Sequence, residues 1–90
     1  MYSKGRIRGT AKFALKASST AQTVHVVGDF SNWKPVLMRK QKDGQFTVEL
    51  QIDPGSWEYK FIIDGQWSVD PDNSAWAANP FGTMNSVARL

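Results

Sequence analysis

Ninety residues without a single cysteine make one domain with a modest core, and they exclude disulfides, thiolate nucleophiles and thiolate metal sites together. The formal charge of +3 permits an anionic partner, but the only basic clusters, Lys4-Gly-Arg-Ile-Arg8 and Arg39-Lys40-Gln-Lys42, read as a solvated tail and a solvated turn. No apolar run approaches a membrane span and no apolar signal core follows the N-terminal charges, so a soluble, cytoplasmic protein is expected.

In chain order, residues 1–7 read as a basic lead-in and residues 8–90 as one folded domain. Phe13, Leu15 and Ala17 alternate with Lys12, Ala14 and Lys16, the pattern of a half-buried first strand over Arg8 to Ala17. Thr23 to Val27 is a β-branched run with Val24 and Val26 inward, ending at Gly28. Gly28 to Pro35 is a shaped loop in which Asp29, Ser31 and Asn32 can bond local backbone and Phe30 anchors from inside. Val36 to Lys40 reads as a short edge strand. Gln45 to Ile52 alternates cleanly, with Phe46, Val48, Leu50 and Ile52 on one side.

The next run, Gly55 to Val69, carries the clearest pattern. Trp57, Tyr59, Phe61 and Ile63 share one face of a strand, while Glu58, Lys60 and Ile62 point the other way. Asp64-Gly65 then signals a two-residue type I′ turn, because that turn needs positive φ at both positions. Such a turn pairs Ile63 with Gln66, Ile62 with Trp67 and Lys60 with Val69. Trp67 therefore shares the outer face with Lys60. Asp70 to Pro80 shows no periodicity, and Met84 to Leu90 reads as a last strand. No helical period extends over ten residues, so the fold class is all-β: a sandwich or barrel of immunoglobulin-like size.

Catalytic constellations are lacking. The acids Asp43, Asp53 and Asp64 sit in turns, and Glu49 and Glu58 read as solvent-facing strand residues rather than a facing carboxyl pair. His25 has no serine, carboxylate or second histidine at a ligand-like spacing. Asp70-Pro-Asp-Asn73 lacks the glycine and closing glutamate of a calcium loop. No metal site, cofactor or enzyme activity is expected.

The tryptophans point elsewhere. Trp33, Trp67 and Trp76 lie in loops or on an outward face, where an indole more often marks recognition than packing; Trp76 alone is read as packing, either over the sheet's open side or beneath its long loop. Indole faces beside a lysine and side-chain amides suit a pyranose, whose C–H patch lies on the ring while its hydroxyls need fixed donors and acceptors. Single-stranded nucleic acid also stacks on aromatics, but no dense basic stripe interleaves with these rings.

Gly28-Asp-Phe-Ser-Asn-Trp33, then Tyr59-Lys-Phe-Ile-Ile-Asp-Gly-Gln-Trp67 followed by Asp70-Pro71, then Gly82-Thr-Met-Asn-Ser-Val87, together resemble the glycogen-binding domain of the AMP-activated protein kinase β subunit. That domain is one of the family 48 carbohydrate-binding modules, or early-set domains. The resemblance runs from about Thr23 to Leu90. It implies an immunoglobulin-like β-sandwich of about seven short antiparallel strands that binds α-1,4-linked glucans (glycogen, starch, maltooligosaccharides) without cleaving them; a monomer is expected. By resemblance, Trp33 and Trp67 stack on glucose, Lys60 and Asn85 bond its hydroxyls, Phe81 stands where an apolar residue enters the glucan helix, and Thr83 lies beside it. Trp76 and the Trp-Ala-Ala-Asn-Pro80 wording have no counterpart in the kinase pattern. The alternative reading is a structural or protein-interaction early-set domain that docks a glucan-metabolising enzyme or kinase complex.

Overall fold

A computed structural model describes all residues, Met1–Leu90, and contains ten strands and no α-helix. The strands are β1 (Tyr2–Lys4), β2 (Thr10–Lys16), β3 (Val24–Gly28), β4 (Val36–Leu37), β5 (Arg39–Lys40), β6 (Gln45–Gln51), β7 (Ser56–Ile63), β8 (Gln66–Ser68), β9 (Trp76–Ala78) and β10 (Met84–Arg89). They form two antiparallel sheets, β1-β2-β6-β5 and β4-β3-β7-β10-β9, with β8 pairing the second half of β7. The two sheets face each other as an immunoglobulin-like sandwich.

Alternation decides what lies between them. Phe13, Leu15, Val24, Val26, Phe46, Tyr59 and Phe61 are buried in one cluster, each from the inward phase of its strand. The aromatic rings meet edge-on or stacked: Tyr59 lies 5.0 Å from Phe13 and 5.8 Å from Phe61, and Phe30 stacks on Phe13 at 5.1 Å. Phe30 thereby pins its loop from inside, as its sequence context predicts.

The β7–β8 hairpin has the expected register, with Ile63 opposite Gln66 and Ile62 opposite Trp67. Asp64 and Gly65 both have positive φ, 48° and 85°, as a type I′ turn requires. The Asp64 carboxylate also accepts the backbone N–H groups of Thr23 and Gln22 at 2.8 and 3.0 Å, tying the turn to the start of β3.

Three expectations change. Residues Tyr2–Lys4, read as part of a loose lead-in, pair with β2, and the Tyr2 ring packs edge-on against Tyr59 at 6.2 Å. The ring, the backbone ladder with β2 and the pairing of the Met1 ammonium with Asp70 together dock a segment whose charges suggest a tail. Val36 to Lys40 is not one edge strand but two pieces in different sheets: at buried Met38 the chain leaves β3 for β6. The aperiodic stretch before Pro80 contains β9, which is held by β10 and not by any pattern of its own.

A buried polar cluster lies against the inner face of β7. The Tyr59 hydroxyl donates to Asp70 Oδ2 at 2.7 Å and accepts from Asn73 Nδ2 at 3.1 Å, while Ser86 Oγ accepts from the Asp70 N–H at 2.8 Å. Burial, and behind it the neighbouring Asp70 carboxylate, pushes the Tyr59 phenol well above its ordinary range, although the Asn73 bond opposes the shift. No buried side-chain nitrogen or oxygen is left without a partner.

Candidate functional site

Trp33 reaches the outer face of the second sheet because its loop is wound tightly. Gly28 sits so close to β7 that a Cβ there would fall 2.5 Å from the Glu58 carbonyl, so only glycine lets β3 end beside that strand. Asp29–Ser31 form one 3₁₀ turn, after which Asn32 and Trp33 both adopt left-handed backbone, φ 53° and 59°. Ser31 Oγ accepts the Gly28 N–H and donates to the Lys34 carbonyl at 2.8 Å, closing the loop. The Asp29 carboxylate then fixes the ring: Oδ1 accepts the Trp33 indole N–H at 2.9 Å and Oδ2 accepts the Glu58 N–H at 2.9 Å. Left-handed backbone at a tryptophan costs about 1–3 kcal/mol, which these bonds and the loop offset.

Trp67 comes from β8 on the same outer face. It is 56% exposed, with its position set by the hairpin register. Lys60 on β7 and Asn85 on β10 line the same concavity as the two indoles. All six residues singled out from the sequence, Trp33, Lys60, Trp67, Phe81, Thr83 and Asn85, line one open concavity of about 640 Å³. The expectation that Trp33 and Asn85 meet Lys60 and Trp67 on one outer side is therefore met geometrically.

The concavity also brings in Asp29, Glu58 and Asn79, which the sequence does not single out for function. Asn79 organises the loop before β10. Its Oδ1 accepts the N–H groups of Phe81 and Thr83 at 3.0 and 3.2 Å, while its Nδ2 donates to Thr83 Oγ1 at 2.6 Å and Asn85 Oδ1 at 3.0 Å. Glu58, read as a plain solvent-facing residue, accepts from Asn85 Nδ2 at 3.0 Å. The one available signal was the Asn-Pro pair at Asn79-Pro80, a turn marker without chemical content.

Proton counting shows what this arrangement offers a ligand. Thr83 Oγ1 accepts from both Lys60 Nζ (3.1 Å) and Asn79, so its own proton is free to donate outward. Lys60 keeps two further protons, and Asn85 Nδ2 keeps one. Two carboxylates, Asp29 and Glu58, against one ammonium, Lys60, give the lining a formal charge of −1. That balance does not attract a polyanion. A second concavity, on the outer face of the first sheet, is lined by charged and amide groups such as Arg6, Lys12, Arg39 and Glu49 and has no aromatic ring. No cluster of His, Cys, Asp or Glu is placed to hold a metal ion.

An all-β sandwich with indoles from two separate elements over a floor of directed donors has the form of a sugar-binding module. Residues 12–90 match the family described as the glycogen recognition site of AMP-activated protein kinase, and the chain belongs to that family. It is 43% identical over 54 residues to protein PTST homolog 2, chloroplastic, of Arabidopsis thaliana, covering 59% of this chain and 10% of that protein. It is 30% identical over 67 residues to the β-1 subunit of 5′-AMP-activated protein kinase of Sus scrofa, covering 74% of this chain and 53% of the subunit. Among solved structures, a maltogenic amylase from S. marinus superposes with a TM-score of 0.81 at 25% identity, over 100% of this chain and 16% of the amylase. The chain thus spans from a tenth to about half the length of these relatives.

Proposed function

We propose that this domain binds α-1,4-linked glucans without cleaving them. The observation that carries this reading is the convergence of Trp33 and Trp67, from different elements, on one open cavity that Lys60, Thr83 and Asn85 also line. Each indole offers a flat face to the C–H side of a pyranose, and the free protons of Thr83, Lys60 and Asn85 are directed at its hydroxyls. Phe81, 89% exposed, stands at the rim where a coiled glucan can close around it. The cavity's two carboxylates are engaged in holding Trp33 and Asn85, which suits binding and not hydrolysis. An open site that buries few ligand atoms gives modest affinity, roughly micromolar to millimolar.

The test is native gel electrophoresis through glycogen, paired with titration by β-cyclodextrin. Trp33→Ala and Trp67→Ala are each expected to abolish retardation while the thermal unfolding profile keeps its shape. Retention of wild-type mobility shifts in both variants would sink the site. Binding should also be insensitive to salt, because the ligand is neutral; a steep salt dependence would point to nucleic acid instead. Silence of the cavity residues throughout the sugar titration would favour a protein-docking role.

A further inference from the structure

Trp76 is the one exposed tryptophan that the cavity does not use. The β9–β10 register sets it opposite Ser86, with Met84 opposite Ala78. Ser86 in turn faces Tyr59, so Trp76, Ala78 and Met84 share the inner side of the second sheet. At this edge the first sheet does not cover them: Trp76 is 55% exposed and Met84 39%. The expectation that Trp76 is packed away, over the sheet's open side or under its loop, is not met at this exposure. Its ring is nevertheless held, because the indole N–H donates to the Asn73 carbonyl at 3.1 Å and Asn73 is itself bonded to Tyr59 and Val87.

The backbone beside the ring is available as well. Val87 donates to the Ala75 carbonyl and Asn79 donates to the Thr83 carbonyl, which places Ala75, Ala77 and Asn79 in the hydrogen-bonded positions of the ladder. The alternate residues, Trp76 and Ala78, therefore turn their N–H and C=O groups away from β10. They face the free edge of the sheet, since β9 has no other neighbour.

We propose that Trp76, with the free β9 edge and the flanking Ala78 and Met84, forms a second contact for the same α-glucan chain, beyond the Trp33–Trp67 cavity. This inference rests on the glucan reading above. Continuity selects the occupant: Ala78, Pro80 and Phe81 line the outer cavity, and β9, the edge strand that carries Ala78, is all that separates that cavity from the Trp76 ring on the inner side. A chain leaving the outer cavity past Phe81 reaches Trp76 by rounding the free edge of β9, where it meets alternating donors and acceptors before the indole on the inner side. A stable protein partner would need about 800 Å² of buried surface on this side, far more than one tryptophan, one alanine and one methionine supply.

The experiment compares maltotetraose with short-chain amylose on the wild type, Trp76→Ala and Trp76→Phe. Trp76→Ala is expected to weaken amylose binding roughly three- to tenfold and to leave maltotetraose unchanged, with Trp76→Phe recovering most of the loss. Equal weakening for both ligands, or no weakening for amylose, overturns the proposal. If the alanine variant fails to fold, the wild-type Trp76 indole N–H resonance decides: it should move on adding amylose and stay still with maltotetraose, and a resonance unmoved by amylose overturns the second contact. Wild-type protein that binds neither sugar removes the glucan reading itself. Wild-type binding of both with no dependence on Trp76 removes only this extension.

Discussion

Asn79 shows how much of the site depends on a side chain that touches no stacking ring. Its carboxamide bonds Phe81, Thr83 and Asn85 at once, so it sets where the rim and two of the polar groups stand. Asn79→Ala is expected to lower stability by only about 1 kcal/mol, because the freed groups can meet water, yet to weaken β-cyclodextrin binding by about fivefold or more as the loop loosens. Asn79→Asp keeps the acceptor for the two backbone N–H groups and loses the two donations, so its affinity should fall between wild type and alanine. Calorimetric titration of both variants checks this; wild-type affinity in both would show that the loop holds its shape without the amide. Asn79 carries no functional signal in the sequence, because an asparagine before proline is ordinary turn chemistry and its partners are gathered only by the fold.

At the scale of an element, the β7–β8 hairpin supplies both the inner stripe of the core and two of the site's outer groups. Its turn is anchored by Asp64, whose carboxyl is held below its ordinary 3.8 by the backbone N–H of Thr23 first and Gln22 second. A carboxyl with a depressed folded pKa contributes stability above its unfolded value, and that contribution is lost as pH falls through the folded one. Asp64→Asn should therefore unfold at lower temperature than wild type at neutral pH, and the gap should close as the pH drops below about 4. Melting curves across that window test the sign; a gap that widens in acid would refute the linkage. The hairpin was legible in advance because period-two alternation and an Asp-Gly turn are local signals. The β4–β5 split at Met38 was not, since a strand that changes sheets reads locally as one continuous strand.

For the molecule as a whole, the Tyr59–Asp70–Asn73–Ser86 cluster locks the segment after β8 against the inner face of β7 and β10. Tyr59→Phe keeps the ring contacts with Phe13, Phe61 and Tyr2 and removes one donor from a carboxylate that is 1% exposed. The expected cost is about 2–3 kcal/mol in denaturant unfolding, with the outer cavity unaffected in the folded fraction. A variant as stable as wild type would mean that the Met1 ammonium, which already pairs with Asp70 Oδ2, satisfies that oxygen without the phenol. Because this cluster lies on the inner side of the sheet and the cavity on the outer side, stability and binding should separate cleanly between the two sets of variants.

By itself the sequence determined the all-β class, the inward stripes, the hairpin register and the exposed Trp33, Lys60 and Trp67, because alternation and turn chemistry act over a few neighbouring positions; Phe81, Thr83 and Asn85 came from the family resemblance. It did not reveal Asp29 as the clamp on Trp33, Glu58 and Asn79 as the partners of Asn85, the docking of Tyr2 or the pairing of β9. The clamp depends on the left-handed backbone at Asn32 and Trp33, the contacts of Asn85 and the pairing of β9 on strands brought side by side in the second sheet, and the docking of Tyr2 on the packing of the two sheets. Hydrogen-bond geometry and exposure are properties of the assembled sandwich. For the same reason Trp76, read from sequence as a covered residue, became an exposed ring on a free edge only once β10 placed it there.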